Sequence, residues 1–194
     1  MSQTEVQLIK SSSVVDGDIV GMSSSKLSGA LPAISGANLT GITAGITEVD
    51  NWRIPTTYST SGDAVVTSWE RNDSNFEVIG SGMTESSGIF TFPSTGKYLI
   101  MASLNANATN VQYIGIVIKY TENDGSSFTT RAQNFDSAAG TNYFVSVNTQ
   151  TIFDVVNTST HKVRFHTNVQ GSTTIEGVST AQRSGFTFIR LGDT

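Results

Sequence analysis

The side chains able to do acid–base or metal chemistry are few, and their spacing works against it. The 194-residue chain holds two histidines, His161 and His166, and no cysteine. The histidines are five apart in an alternating polar–apolar stretch, so on a strand they project from opposite faces and cannot share a metal ion or a catalytic centre within one chain. The missing cysteines remove disulfides, thiolate ligands and thiol nucleophiles, which leaves packing alone to hold the fold. No His-Glu-x-x-His, Gly-x-Ser-x-Gly, P-loop or Rossmann fingerprint occurs. Two small acidic groups, Asp16-Gly-Asp18 and Glu122-Asn123-Asp124-Gly125, have the oxygen chemistry that attracts calcium but not the ligand count or spacing of a calcium loop. Asn123-Asp124-Gly125 reads instead as a hairpin turn, because Asn, Asp and Gly tolerate positive φ. Asp16-Gly-Asp18 reads as punctuation between repeats. A glycosidase-type pair of distant carboxylates is left open, although no motif points to one. The expectation is a protein that is not an enzyme and needs no cofactor and no metal.

Binding chemistry is better represented. An exposed Trp stacks on sugar rings, whereas a buried one fills a core or a subunit contact. Trp52 opens the first expected strand and reads as packing; Trp69 stays open between the two uses. Asn105 to Gln112 and Ser137 to Asn142 are rich in Asn, Thr, Ala and Gly. As loops at a free end they would carry a receptor site, with Asn107, Asn110 and Asn142 as candidates, or be plain solvated turns. The net charge of −5, with 14% charged residues and no basic cluster, argues against nucleic acid as a partner. No charged n-region followed by an apolar run opens the chain, so no secretory signal is expected, and no apolar run reaches membrane-spanning length.

The elements that must position these residues divide near residue 47. Residues 1–46 contain no aromatic side chain and are rich in Ser, Gly and Ala. Leu27, Leu31, Ile34, Leu39 and Ile42 recur every three to five residues, in units such as Leu27-Ser28-Gly29 and Leu39-Thr40-Gly41. The interspersed Gly29, Pro32, Gly36 and Gly41 oppose a helix. Such a segment cannot bury enough surface to fold alone. Two readings stand side by side: a Gly/Ser-rich linker, and an anchor or fibre segment in which three copies bury their Leu and Ile on a common axis.

Residues 47–194 read as a β domain. Ten strands are expected near 51–57, 64–69, 76–80, 88–92, 96–106, 112–121, 127–134, 142–156, 161–169 and 185–191. Turns fall at Ser61-Gly62-Asp63, Pro93-Ser94-Thr95-Gly96, Ala139-Gly140 and Asn157-Thr158-Ser159, among others. Ten short strands without a helical segment point to a two-sheet sandwich. Within 161–169 one face is apolar and the other carries Lys162, Arg164, His166 and Asn168, as in a half-exposed strand. Other strands are apolar on both faces. Tyr98, Ile100, Ala102 and Leu104 are backed by Leu99 and Met101; Val145, Val147 and Phe153 by Phe144 and Ile152; Phe186 and Phe188 by Ile189 and Leu191. A sandwich offers one dry face per sheet. The second apolar face therefore predicts an oligomer contact through Leu99, Met101, Phe144, Ile152, Ile189 and Leu191. Cover by the N-terminal segment is the alternative.

The stretch "GIFTFPSTGKYLIMASL", residues 88–104, resembles the signature of the globular heads of complement q, within the tumour-necrosis-factor-like jelly rolls. The matching residues are Gly88, Phe90, Thr91, Phe92, Pro93, Gly96 and Tyr98. "SGFTFIRLG", with Gly185 and Phe186, is similar to that family's last strand. The resemblance covers about residues 50–194. It implies a ten-stranded jelly roll that assembles as a homotrimer, with one sheet around the threefold axis. No Gly-X-Y repeat precedes the domain. "SVVDGDIV" and "KLSGALPAISGANLTGI" instead look like the short repeats of bacteriophage fibres and other virion appendages.

Together these imply an all-β virion protein at the particle surface. It would be a trimeric fibre knob that attaches to a host-surface glycan or protein by multivalency, tied to other virion proteins by its N-terminal segment. The alternative is a capsid decoration or cement trimer, or head fibre, anchored by its N-terminus. A third reading, a soluble trimeric lectin or signalling ligand, is disfavoured by the missing secretion signal.

Overall fold

The structure, a computed structural model, describes residues 45–73 and 76–194; Leu27, Leu31, Ile34, Leu39, Ile42 and the Asp16-Gly-Asp18 group lie outside the described residues. Among the described residues all regular structure is β. The strands are β1 (Val49–Arg53), β2 (Thr56–Val65), β3 (Glu70–Arg71), β4 (Thr84–Ser86), β5 (Ile89–Thr91), β6 (Gly96–Ala108), β7 (Val111–Thr121), β8 (Thr129–Ala138), β9 (Tyr143–Val155), β10 (Lys162–Val178) and β11 (Gly185–Gly192). All pair antiparallel.

The strands form two layers of one curled sheet. The inner layer runs β3-β1-β11-β6-β9 and the outer layer β2-β10-β7-β8, with β5 and then β4 continuing from the flank of β10. The layers are joined because β10 is long. Its first half, Lys162–Val169, pairs with β7, and its second half reaches β6 through Thr174↔Asn107 and Ile175↔Ala106. The period of two in β6 sets the geometry. Tyr98, Ile100, Ala102, Leu104 and Ala106 are buried between the layers, while Leu99, Met101, Ser103 and Asn105 face out.

The core is aromatic at its centre. Phe165 of β10 stacks on Phe186 of β11, centroids 3.8 Å apart and planes 8° off parallel. Phe90 meets both rings edge-on at 5.8 Å and 4.8 Å, and Trp52 meets Phe90 at 5.2 Å. Trp69 is part of this cluster too, against Phe90, Phe165 and Phe186, with its indole N–H donating to the Val66 carbonyl. That answers the question the sequence left at Trp69: both tryptophans pack. The family-like motif is structural throughout. Phe90, Phe92 and Tyr98 are buried, and Pro93 sits in the turn leading to Gly96. Gly88 has φ +82°, and a Cβ there would lie 2.6 Å from the Val66 carbonyl oxygen. At Gly185 a Cβ would lie 2.2 Å from the Trp52 carbonyl oxygen, so only glycine lets β1 and β11 pair at this point.

Buried charge closes the β1 edge. Asp50, 2% exposed, accepts from the Arg71 guanidinium (3.0 and 3.1 Å), the Trp52 indole (2.9 Å) and the Met83 amide (2.7 Å). Arg53 donates to Glu70, Asn72 and Asp73.

Several expectations are corrected. Among the described residues there are eleven strands, where ten were expected. The expected strands at 51–57 and 64–69 are redrawn: β1 ends at Arg53, and β2 runs straight through Ser61-Gly62-Asp63. The reason is geometric. Gly62 (φ +66°) bends β2 opposite the bulge of β10, where Gly171 (φ +63°) makes the matching bend, so the glycine curves the strand instead of reversing it. The segment 76–80 supplies only an isolated bridge, Val49↔Ile79. His166, expected on a solvent face, is 5% exposed because Val65, Val117, Asp63 and Lys119 surround it.

Truncating the centre of the core should be costly. Phe186→Ala is expected to lower unfolding stability by about 3–5 kcal/mol, read as a fall in the urea midpoint at unchanged slope.

Candidate functional site

The two amide-rich segments singled out in the sequence come together at one end of the sandwich. Asn110 lies in the β6–β7 turn and Asn142 in the β8–β9 turn. The Asn110 amide donates to the Gly140 carbonyl (3.0 Å), and the Asn142 amide donates to Thr109 Oγ1 (3.0 Å). Both asparagines take left-handed backbone, φ +49° and +57°, which their short polar side chains tolerate better than other non-glycine residues. A third segment joins them, because the Gln112 amide donates to Oε1 of Gln170 (2.6 Å) in the β10 bulge. Asn107 is corrected from a loop to a strand residue: β6 continues to Ala108, and Asn107 pairs with Phe144 of β9.

The same end carries exposed rings that the sequence reading did not single out as binding residues. Tyr143, at the start of β9, is 54% exposed, and its ring lies over Gly140, where a Cβ would meet it at 2.5 Å. Tyr113 and Phe135 pair edge to face at 6.1 Å, and Phe135 fills the space left by Gly115. The residues were present in the sequence: Tyr113 and Gly115 in β7 and Phe135 in β8. They could not be linked without the β7–β8 register that places Gly115 opposite Phe135. Residues 105–115 and 133–146 hold one charged side chain, Asp136. This end is therefore a nearly uncharged surface of ring faces, amides and hydroxyls.

On the outward side of the inner layer, a row crosses five chain segments. Ile152 pairs with Leu99, Leu99 with Ile189, Ile189 with Val49 and Val49 with Ile79. Directly paired residues point to the same face, so this is one apolar band. Ile152 (50%) and Ile79 (45%) are its most exposed members. Leu191 (54%) flanks it, Met101 lies in the next row, and Phe144 (68%) sits at the far end of β9 beside Asn107. Between the two ends lies an open groove of about 640 Å³, whose lining includes Met101, Ser103, Gln133, Asn148, Gln150 and Gln182. It is lined by uncharged side chains throughout.

The residues considered for chemistry are dispersed. His161 stacks on Phe153 and bonds Thr160 through Nδ1, while His166 bonds Asp63. The Glu122–Gly125 stretch is a turn in which Asn123 bonds Thr121 and Ser127, and Lys162 binds Asp124. Among the described residues, no three His, Asp or Glu side chains group as metal ligands would.

No protein-family model and no curated protein matches the chain. Solved structures do. The chain is similar to Eiger TNF from S. frugiperda, with a TM-score of 0.62 and 14% identity over 77% of this chain and 96% of that one. It is also similar to murine APRIL in structures at pH 5.0 and pH 8.5. Their TM-scores are 0.55 and 0.53, with 15% and 17% identity, over 74% of this chain and 99% and 98% of those. At such identities the likeness establishes the fold: the described domain is a TNF-like jelly roll.

The turn geometry has a measurable consequence. Asn142→Gly should be neutral or slightly stabilising and Asn142→Ala should cost about 1 kcal/mol, whereas Tyr143→Ala should stay within about 0.5 kcal/mol of wild type because its ring is exposed. Urea unfolding of the three variants checks this. A large loss at Tyr143 would make the ring a structural element, not a free surface.

Proposed function

We propose that this protein is a non-enzymatic homotrimeric attachment module of a virion. Its jelly-roll knob would bind a host-surface ligand through the Asn110–Asn142 end, and its N-terminal segment would tie it to the particle. The observation that carries the reading is the apolar row Ile152–Leu99–Ile189–Val49–Ile79. It faces away from the core, and a contiguous apolar band of this kind marks a protein contact. Copies of the same chain are the natural cover, because Leu99, Ile189 and Val49 run across the middle strands of a sheet face whose charged side chains, Lys97 with Asp154 and Arg53 with Glu70 and Asp73, are paired with one another. Three binding ends on one rigid body then gain avidity from modest single-site affinity. The nearly uncharged ring-and-amide surface suits a neutral ligand, with ring faces for apolar contact and side-chain amides for hydrogen bonds.

The virion assignment rests on the phage-fibre-like repeats within residues 13–46. The same trimer, anchored by its N-terminal segment, would serve equally as a capsid decoration protein. Loss of capsid stability on deleting the protein, with attachment unchanged, would select that placement.

Native mass spectrometry tests the assembly. The wild-type chain is expected to be a trimer, and Leu99→Glu with Ile152→Glu is expected to be a folded monomer, since each buries a charge in the proposed contact. A wild-type monomer would remove the basis of the avidity mechanism. Attachment is tested by binding of the trimer to susceptible cells, with Tyr143→Ala and Tyr113→Ala expected to weaken it about tenfold or more while the trimer persists.

A further inference from the structure

We propose that Asp63, His166 and Lys119 form an acid-released clasp, which fastens the C-terminal end of β2 to the outer layer and lets it go at mildly acid pH. The arrangement spans three strands. Asp63 of β2 accepts from His166 Nδ1 of β10 at 2.5 Å and from Lys119 Nζ of β7 at 2.7 Å. A carboxylate can only accept, so the proton of a neutral His166 sits on Nδ1 and the bare lone pair on Nε2. Nε2 is buried and has no partner.

The place matters as much as the contact. β2 ladders to β10 alone, and the bulge between Val169 and Thr173 cuts that ladder in two. The short part, Gly62–Val65 on His166–Val169, is held by four register pairs and the clasp. Arg164 Nε and His166 Nε2 are buried without a hydrogen-bond partner, and Tyr58 Oη and Thr167 Oγ1 are buried with only a weak contact to each other; all four belong to β2 or β10. Among the described residues, this strand pair is where polar burial is least compensated. Opening it returns those atoms to water, which lowers the cost of local release.

Acid acts on this seam through one group. The charged side chains facing His166 are Asp63 from β2, Lys119 from β7 and Arg164 of its own strand, while β8 places the uncharged Gln133 in the same cross-strand row. A second proton on the ring would go to Nε2, where no acceptor lies, and would set a third cation beside Lys119 and Arg164. Burial first, then those cations, hold the imidazole below its ordinary 6.5 although Asp63 pulls the other way. The closed clasp thus keeps the ring neutral and the opened one takes up a proton. Its stability is complete above pH 6.5 and declines as pH falls below that value. For Asp63 burial opposes ionisation, but the bonds from Lys119 and His166 prevail and hold its carboxyl below 3.8. Its own contribution is therefore lost only at more acid pH, and the interval between about 6.5 and 4 belongs to His166.

Amide hydrogen exchange of the full chain at pH 7.5 and 5.0 tests the clasp. Protection of residues 62–66, corrected for intrinsic rates, is expected to be lower at pH 5.0 than at pH 7.5. Protection in β6 and β11 is expected to hold. His166→Gln should abolish the pH dependence. If that variant does not fold, the wild-type protein still decides: His161 is the only other histidine, so both imidazoles can be followed by NMR, and His166 should titrate below 6.5. Equal protection of 62–66 at the two pH values, or His166 titrating at or above 6.5, overturns the proposal.

Discussion

The contact on which the rest of the domain depends is the stacking of Phe165 on Phe186. One ring comes from the outer layer and one from the inner, and they meet at 3.8 Å with Phe90, Trp69 and Phe188 packed edge-on or tilted around them. A chain without cysteine has no covalent means of holding two sheets together. The apolar area and the specific geometry of the aromatic cluster take that role. Its position also fixes register. Phe186 is in register with Trp52 and with Ala102, and Phe165 with Ile118, so a one-residue slip of β11 or β10 would turn the cluster out of the core.

Once the core face is fixed, the opposite face of each strand is fixed too, and the two layers use it differently. Outward from the inner layer, aliphatic residues gather in one cross-strand row; the rows on one side of it are Gln, Met, Thr, Asn and Ser, and on the other side Lys97 pairs with Asp154. Such a face offers an apolar band for tight contact and an uncharged polar field that imposes geometry without repulsion. Outward from the outer layer, charged and aromatic side chains settle into local groups: Arg164 over Phe128 at 3.9 Å, Asp63 with His166 and Lys119. The charged residues are few, and several are spent on internal fastening, as at Asp50 and Arg53. The loop end is left almost uncharged as a result.

The seam between β2 and β10 is the exception to a well-satisfied interior. Tyr58 shows the cost: burial pushes its phenol up to about 12, and only the neighbouring Thr167 hydroxyl, itself buried, pulls the other way. The bulge that curves β10 around the core also breaks the β2 ladder, so curvature of the sheet and weakness at its edge have one origin.

Much of the fold was legible in the sequence because its signal is local. Period-two alternation marked β6, β9 and β10 and told which of their residues face the core, and Gly, Pro and Asn marked the turns around them. Phe90, Phe92, Tyr98 and Phe186 were readable as core for the same reason. The sequence also showed that Leu99, Ile152 and Ile189 were apolar on the wrong side for a single sandwich. What it could not show was that Ile152 and Ile189 flank Leu99 directly, because that depends on the pairing of β9 with β6 and β6 with β11 across 53 and 90 residues of chain. Gly62 misled for a related reason: a glycine in a turn and a glycine at a bend opposite a bulge look alike until the partner strand is known. His166 was misplaced because alternation assigns a face, whereas burial is set by what lies across it, here Asp63 from about a hundred residues away. Local periodicity determined the class of fold and the faces of its strands. Register, a property of strand pairs, decided which residues meet and so where contacts, charges and a candidate site arise.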